Sequence, residues 1–376
     1  MEKKTHNFVF TFTPRLAMAT SAEARLASLA KPPGSLGLLE DWAITLSNLQ
    51  KTLQPVAEPQ SVLVFCSDHG VKKADAALSP FPASVSAAVF RALAAGISAT
   101  ATLARSQNAH LTVVDVGIDG DVSRVGSGQP WITVRHAKAA RGSADLRSGP
   151  ALDEGALERA LQAGTDCVAD EVATRGAKVV AIGEVGIGNT TVAAALLCAL
   201  TGADAAACCG RGTGLDDAGL EHKVATVRAA CERAAPELAR GAPSADSALV
   251  ARAALRLLGG YELAAMCGAY IEAARLGVAA VVDGFISGVA ALCAARIAPA
   301  CRTAMVFATS LAEEPSSTRG GEILAAALDA RPALSMGLRL GEASGATLAL
   351  PLLRAAAALV GQCGTLEEAL ALGESS

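Results

Sequence analysis

Six short apolar runs punctuate the chain: Val62–Cys66, Leu111–Val116, Val179–Ile182, Ala205–Cys209, Val278–Val282 and Ala304–Phe307. Each is short and continuously apolar, the pattern of a strand buried on both faces of a parallel sheet. Ala-rich helical stretches lie between most of them: Leu93–Arg105, Leu157–Thr174, Thr191–Leu200, Lys223–Arg240 and Ala245–Leu276. Strands alternating with helices predict an α/β fold, a mostly parallel six-stranded sheet with crossover helices. The two ends, 1–55 and 341–376, carry no such run and look helical. They are expected to pack together as a smaller helical domain beside a 56–340 α/β domain. Ser143 to Asp153 is expected to be loop, with Gly149-Pro150 as punctuation.

The residues just after each run change the picture. The runs end in Ser67-Asp68-His69-Gly70, Gly117-Ile118-Asp119, Gly183-Glu184-Val185-Gly186, Gly210-Arg211-Gly212-Thr213-Gly214, Asp283-Gly284-Phe285 and Ala308-Thr309-Ser310. Open parallel sheets bind ligands outside the carboxyl ends of their strands. One such loop is an ordinary turn; six of them favour a ligand site.

Composition narrows the class. Of 376 residues, 52% are hydrophobic but only 3% aromatic, so the apolar mass is Ala, Val and Leu. That suits close-packed helices on a sheet. The net charge is −4 and no Lys/Arg block stands out, which argues against a nucleic-acid footprint. The mean hydropathy of +0.38 makes a membrane span worth testing. The longest uncharged stretch, Val185–Ala203, opens with Val-Gly-Ile-Gly-Asn-Thr-Thr, leaving Val192–Leu200 strongly apolar. A span needs roughly 20 apolar residues, so none is expected. No secretory signal is expected after Met1, and ten scattered cysteines without a Cys-x-x-Cys pair fit buried thiols in a reducing cytoplasm. His6, His69, His110, His136 and His222 show no ligand spacing, so no metal site is expected.

Four stretches carry candidate chemistry. Gly337-Leu-Arg-Leu-Gly-Glu-Ala-Ser-Gly345 sets a lone carboxylate, Glu342, among small residues: a solvated turn residue or a base aimed at a ligand. Gly183–Thr191 joins a strand to a helix without the Walker A or dinucleotide pattern. From spacing alone, a phosphate cradle at a helix N-terminus and a tight turn capped by Asn189 or Thr190 account for it equally. Gly210–Gly214 with Lys223 is a second candidate cradle, the alternative being that Lys223 is a solvated helix residue. Asp68-His69 invites a dyad, but neighbours at a strand end point apart, which favours a structural role.

In this order the motifs resemble the nicotinate-nucleotide:dimethylbenzimidazole phosphoribosyltransferases. The matching blocks run from Lys31-Pro-Pro-Gly-Ser-Leu-Gly-Leu-Leu-Glu40 through Ser67–Val71, Val114–Asp119, Arg141–Asp145, Gly183–Thr191, Cys209–Asp217, Leu258–Leu263 and Asp283–Ser287 to Gly337–Pro351. The resemblance implies a homodimer with a Rossmann-like large domain and a small helical domain from both termini. It implies transfer of phosphoribose from nicotinate mononucleotide to a benzimidazole nitrogen, without metal or cofactor. Glu342 matches the family's base, and the small Gly341, Ala343 and Gly345 are expected to let the flat ring approach. Glu184 matches a carboxylate near the reacting ribose. Gly212, Gly214 and Lys223 match the phosphate end. Gly186, Gly188, Asn189, Thr190, Gly210, Thr213 and Asp283 complete the expected nucleotide- and base-binding set.

Two segments depart from the family. In place of a Ser-His-x-Ser-x-Glu-x-Gly stretch stands Thr309–Gly320. One alignment sets Glu314-Pro315 on the family Glu; the preferred one, which keeps the spacing to Glu342, sets Ser316 on a phosphate-contacting Ser. Within 72–89, Val89 stands where some members carry a base-holding Gln, with Phe81 nearby, which implies a greasier base pocket. Two alternatives stay open: the same donor with another azole, a purine or a phenol as acceptor, and a non-catalytic paralogue that binds nucleotide or base. Retention of Glu184 and Glu342 speaks against the paralogue.

Overall fold

The computed structural model describes residues 21–241, 247–311 and 319–373. Six strands form one sheet: β1 (Gln60–Ser67), β2 (His110–Gly117), β3 (Ile132–His136), β4 (Val179–Val185), β5 (Ala279–Val282) and β6 (Met305–Phe307). All pairings are parallel and the order is β3-β2-β1-β4-β5-β6. The order reverses between β1 and β4, where open α/β sheets form their ligand crevice.

The helices are α1 (Ala22–Ser28), α2 (Leu38–Gln50), α3 (Gly70–Ala74), α4 (Ser84–Ala95), α5 (Ala99–Ser106), α6 (Glu154–Arg175), α7 (Asn189–Thr201), α8 (Ala205–Cys208), α9 (Asp217–Gly241), α10 (Ser247–Leu258), α11 (Tyr261–Arg275), α12 (Phe285–Ile297), α13 (Gly320–Leu328), α14 (Ser344–Gln362) and α15 (Leu366–Gly373). Side chains alternate along each strand, so the sheet has two cores. Leu63, Phe65, Val180, Ile182 and Val282 pack with α6, α7 and α9 to α13. Val62, Val64, Val179, Ala181 and Val281 pack with α1, α2, α4, α5 and α14. The small-residue composition lets helices approach closely: a methyl on Gly164 of α6 would stand 1.8 Å from the Ala265 carbonyl oxygen of α11.

The count of six strands is right through two compensating errors. Ala205–Cys209 is not a strand: Ala205–Cys208 is a short helix, capped by the Asp204 carboxylate accepting from the Ala206 N–H. A run of three alanines favours helix over sheet. The strand missed is β3, an edge strand whose residues after Ile132 are half-buried or exposed. Its Thr, Arg and His break any continuous apolar run, as edge strands do. Leu93–Arg105 is two helices, since Gly96 at φ +79° ends α4 and Ser98 caps α5. Ala245–Leu276 is likewise split at Gly259-Gly260 into α10 and α11. Ser143–Asp153 is loop.

Two segments, Ser84–Ser106 and Ser344–Gln362, are long and apolar enough to cross a bilayer by length and composition. The first is the broken α4–α5 pair. The second, α14, lays Ala346, Ala349, Leu350, Leu353, Ala356 and Val360 against the sheet.

Candidate active site

A cavity of about 360 Å³ lies over the carboxyl ends of β4, β5 and β6. Small-molecule sites typically occupy about 300–1,000 Å³. Three acids from three distant stretches meet at its wall: Glu184 near the end of β4, Asp283 just after β5, and Glu342 in the loop before α14.

Local backbone explains how Glu342 gets there. Gly341, Glu342 and Ala343 have φ of +78°, +59° and +63°. Two consecutive non-glycine residues in the left-handed region store strain of about 1–3 kcal/mol each, as functional loops often do. The Glu342 N–H donates to the Glu184 carbonyl oxygen at 3.2 Å, so the loop lies along β4. Gly183 permits this, because a methyl there would come 2.1 Å from the Ala343 nitrogen. The small residues around Glu342 therefore serve packing first. Ala343 is fully buried and does not line the cavity, and a methyl on Gly345 would stand 2.3 Å from Thr309 Cγ2. Only Gly341 and Gly345 of that trio lie on the wall.

The three acids share a poorly solvated patch. Burial, then the charges of Glu262, Asp283 and Glu342, push the Glu184 carboxyl well above the usual carboxylate range. Burial pushes Asp283 up to about 7, against backbone donors from Ala346, Gly345 and Ala343. Burial also raises Glu342, opposed by a hydrogen bond from the Thr100 hydroxyl to its Oε2 at 3.3 Å. The Asn189 side-chain amide donates to Glu184 Oε2. Asn189 is thus not the helix cap; Gly188, at φ +97°, occupies that position without a side-chain bond. Among the described residues lining the cavity, Arg339 is the one cationic side chain.

At the glycine-rich end, Gly186, Asn189, Thr190, Gly212 and Thr213 line the cavity. Gly188, Gly210 and Gly214 stand outside the lining. Gly210–Gly214 follows the short helix α8 rather than a strand. Lys223 is neither a solvated residue nor on the wall. Its side chain is fully buried, and its ammonium donates to Thr190 Oγ1 at 2.9 Å and to the Gly210 carbonyl at 2.8 Å. It ties one glycine-rich loop to the other. Phe81 and Val89 lie on the wall, and Ser316 falls outside the described residues.

Asp68 and His69 diverge. Asp68 Oδ2 accepts from the Asp119 N–H at 2.9 Å, while His69 Nε2 lies 3.1 Å from Glu262 Oε1 with both side chains wholly buried. Burial alone lowers the imidazole pKa, but Glu262 and Asp68 outweigh it and favour the cation.

The cavity wall also holds residues outside the expected site set. Val85 is one turn from Val89 on α4, so its place follows once that helix is known. Leu338, Arg339 and Leu340 immediately precede the Glu342 turn, and Thr309 and Ser310 follow β6. Thr100, 242 residues from its partner Glu342, had no local signal.

Comparisons with known proteins address the family and the fold. A family model described as Phosphoribosyltransferase (DBI_PRT) matches residues 13–370. The chain is 44% identical over 354 residues to the nicotinate-nucleotide–dimethylbenzimidazole phosphoribosyltransferase of Pseudomonas putida, covering 94% of each. It is 41% identical over 361 residues to the protein of the same name from Chromobacterium violaceum, covering 96% of this chain and 98% of that one. The crystal structure of CobT from Thermus thermophilus is similar with a TM-score of 0.80 at 34% identity, covering 93% of this chain and 97% of that one.

Proposed function

The chain belongs to the nicotinate-nucleotide–dimethylbenzimidazole phosphoribosyltransferase family, and from that premise we propose how its pocket works. The enzyme transfers phosphoribose from nicotinate mononucleotide to a ring nitrogen of 5,6-dimethylbenzimidazole or a similar base. The products are an α-ribotide, the form used for the cobalamin lower ligand, and nicotinate. The observation that carries this reading is the pairing of two desolvated carboxyls, Glu342 and Glu184, joined through backbone at the carboxyl edge of the sheet.

The base nitrogen that bears a lone pair attacks C1′ of the ribose. The C1′–N bond to the pyridinium breaks, and its electron pair goes to the departing nicotinate nitrogen. Glu342 takes the proton from the other ring nitrogen, so positive charge does not build up on the base. A positioned general base contributes about 10²–10⁴-fold, most when its pKa lies near the working pH. Its raised pKa supports Glu342 in that role. Among the described residues, Glu184 has like charges around it and no cation paired with it. The donor's pyridinium, and then the positive charge developing at C1′, supply what it lacks. The phosphate is assigned to the Thr190, Gly212 and Thr213 end, with Lys223 holding the two loops in register.

Phe81, Val85 and Val89 form an apolar wall that favours a flat aromatic acceptor and also admits related bases. The helical ends are read as one unit: Arg25 of α1 donates to the carbonyls of Val360 and Cys363 at 3.2 and 2.6 Å. A cytoplasmic homodimer completes the reading; the exposed apolar Ile97, Met336 and Leu340 are available to a partner subunit.

The test is Glu342→Gln, assayed with nicotinate mononucleotide and a panel of bases. Ribotide formation is expected to fall at least ~10²-fold with nucleotide binding retained. Near-normal turnover would remove Glu342 as the base. A panel in which only a purine or a phenol reacts would reassign the acceptor.

A further inference from the structure

We propose that Thr100 is a positioning residue for this reaction, holding one oxygen of Glu342 so that the other faces the acceptor. The proposal rests on Glu342 being the base. Thr100 comes from outside the strand-edge loops that build the pocket. It lies in the first turn of α5, the eight-residue helix that follows the Gly96 break. Ser98 caps that helix, accepting from the Ala101 N–H at 3.0 Å. Thr100 is fully buried and does not line the cavity, so it acts through Glu342 and not on substrate.

Its hydroxyl donates to Glu342 Oε2 at 3.3 Å. That distance is long for an O–H···O bond, and catalytic hydrogen bonds without substrate are often long and tighten on binding. The backbone of the same residue is fixed as well, since the Glu342 N–H donates to the Glu184 carbonyl. With backbone and Oε2 both held, Oε1 is the oxygen left to take a proton. The first turn of a helix also carries partial positive charge, which favours the anion. The other charged or titratable groups that face Glu342 or share its wall are Glu184 at the end of β4, Asp283 after β5, Arg339 in the preceding loop and the buried Cys66 thiol of β1. None of them donates a hydrogen bond to Glu342 among the described residues, which leaves Thr100 as its side-chain donor.

The experiment compares Thr100→Val, Thr100→Ser and Glu342→Gln in the full-length protein, measuring kcat, both KM values and the pH profile of kcat/KM. Thr100→Val removes the hydroxyl and keeps the shape. It is expected to lower kcat about 10-fold while both KM values stay within about twofold. A donor to a carboxylate favours its ionised form, so losing the donor moves the acid limb of the profile to higher pH. Thr100→Ser, which restores the hydroxyl, is expected to recover both changes. If Thr100→Val does not fold, Thr100→Ala must give the same pair of changes. Wild-type kcat and pH profile in the hydroxyl-less variant overturn the proposal. So does a loss of activity with an unmoved acid limb that Thr100→Ser fails to repair, since that describes packing alone. Substantial turnover in Glu342→Gln overturns instead the reading of the base on which the proposal stands.

Discussion

Two carboxylates at opposite edges of the sheet are buried to nearly the same degree, Glu171 at 4% exposed and Glu184 at 5%. Their surroundings are opposite. Glu171, on α6, accepts from Ser61 of β1 at 2.7 Å and from Thr112 of β2 at 2.6 Å, and pairs with Arg175 at 3.2 Å. Both strand residues lie near the amino ends of their strands, so this carboxylate fastens a helix to the beginning of the sheet. Glu184, at the carboxyl edge, has the Asn189 amide and three other acids for company. Desolvating a charge is costly unless it is compensated. At one edge the chain supplies the compensation itself. At the other it withholds it, and on the proposed reading an incoming cation makes up the deficit. A buried carboxylate that lacks a cation where strands end is what separates a site from a strut here.

Replacing the two carboxylates by their amides sets that contrast at its widest. Glu184→Gln is expected to lower kcat about 10²-fold, the scale of losing one preorganised charge at a reacting centre. It is also expected to change how stability depends on pH. A carboxyl raised in the folded state stabilises the fold fully below its unfolded value, near 4.3, and that contribution is lost as pH climbs through the folded value. Glu184 and Glu342 are both raised, and Asp283 stands at about 7. The melting temperature of the unaltered protein should therefore fall from about pH 4 to above pH 7, and Glu184→Gln should flatten part of that fall. Parallel melting curves across this range would break the comparison.

Glu171→Gln should do the reverse. It weakens two charge-assisted hydrogen bonds and the link to Arg175, and is expected to cost about 1–3 kcal/mol of stability. Turnover should stay within twofold, because Glu171 does not line the cavity. Denaturant midpoints and steady-state rates measured on one preparation would separate the effects. A large drop in kcat without a loss of stability would mean the amino edge of the sheet also serves the reaction.

Much of this was legible in the chain, for a physical reason. The central strands are buried on both sides and must be apolar throughout, so β1, β2, β4 and β5 announce themselves. Edge strand β3 is half exposed and did not. Ala205–Cys208 has strand-like hydropathy but a helix former's composition. At the site, motif order pointed to Glu184, Asp283 and Glu342, because each sits in a contiguous block of the chain. What pattern could not give was contact across the fold. Thr100 reaches Glu342 from a different helix, and Lys223 spends its charge between Thr190 and the Gly210 carbonyl. Neither relation leaves a periodic trace. The same holds for Gly183 and Gly345, whose small size answers to Ala343 and Thr309.

The apolar wall opposes the acids in a further way, and Val89→Gln tests it with the smallest expected effect. Phe81, Val85 and Val89 offer an acceptor no hydrogen bond. On the proposed reading, selectivity there rests on shape and on desolvation of the ring's polar edge. An amide at position 89, one helical turn beyond Val85, gives a polar-edged base a partner it otherwise forgoes. A net hydrogen bond is worth about 0.5–1.5 kcal/mol, roughly 2- to 13-fold in a rate ratio. Competition between dimethylbenzimidazole and a purine should therefore shift toward the purine by that factor in kcat/KM. The acid limb of the profile should move little, since Glu342 keeps Thr100 and its backbone anchor. An unchanged ratio would mean that selectivity is not set on this face of α4. It would then have to come from the Leu338–Leu340 side of the cavity, next to the carboxylates themselves.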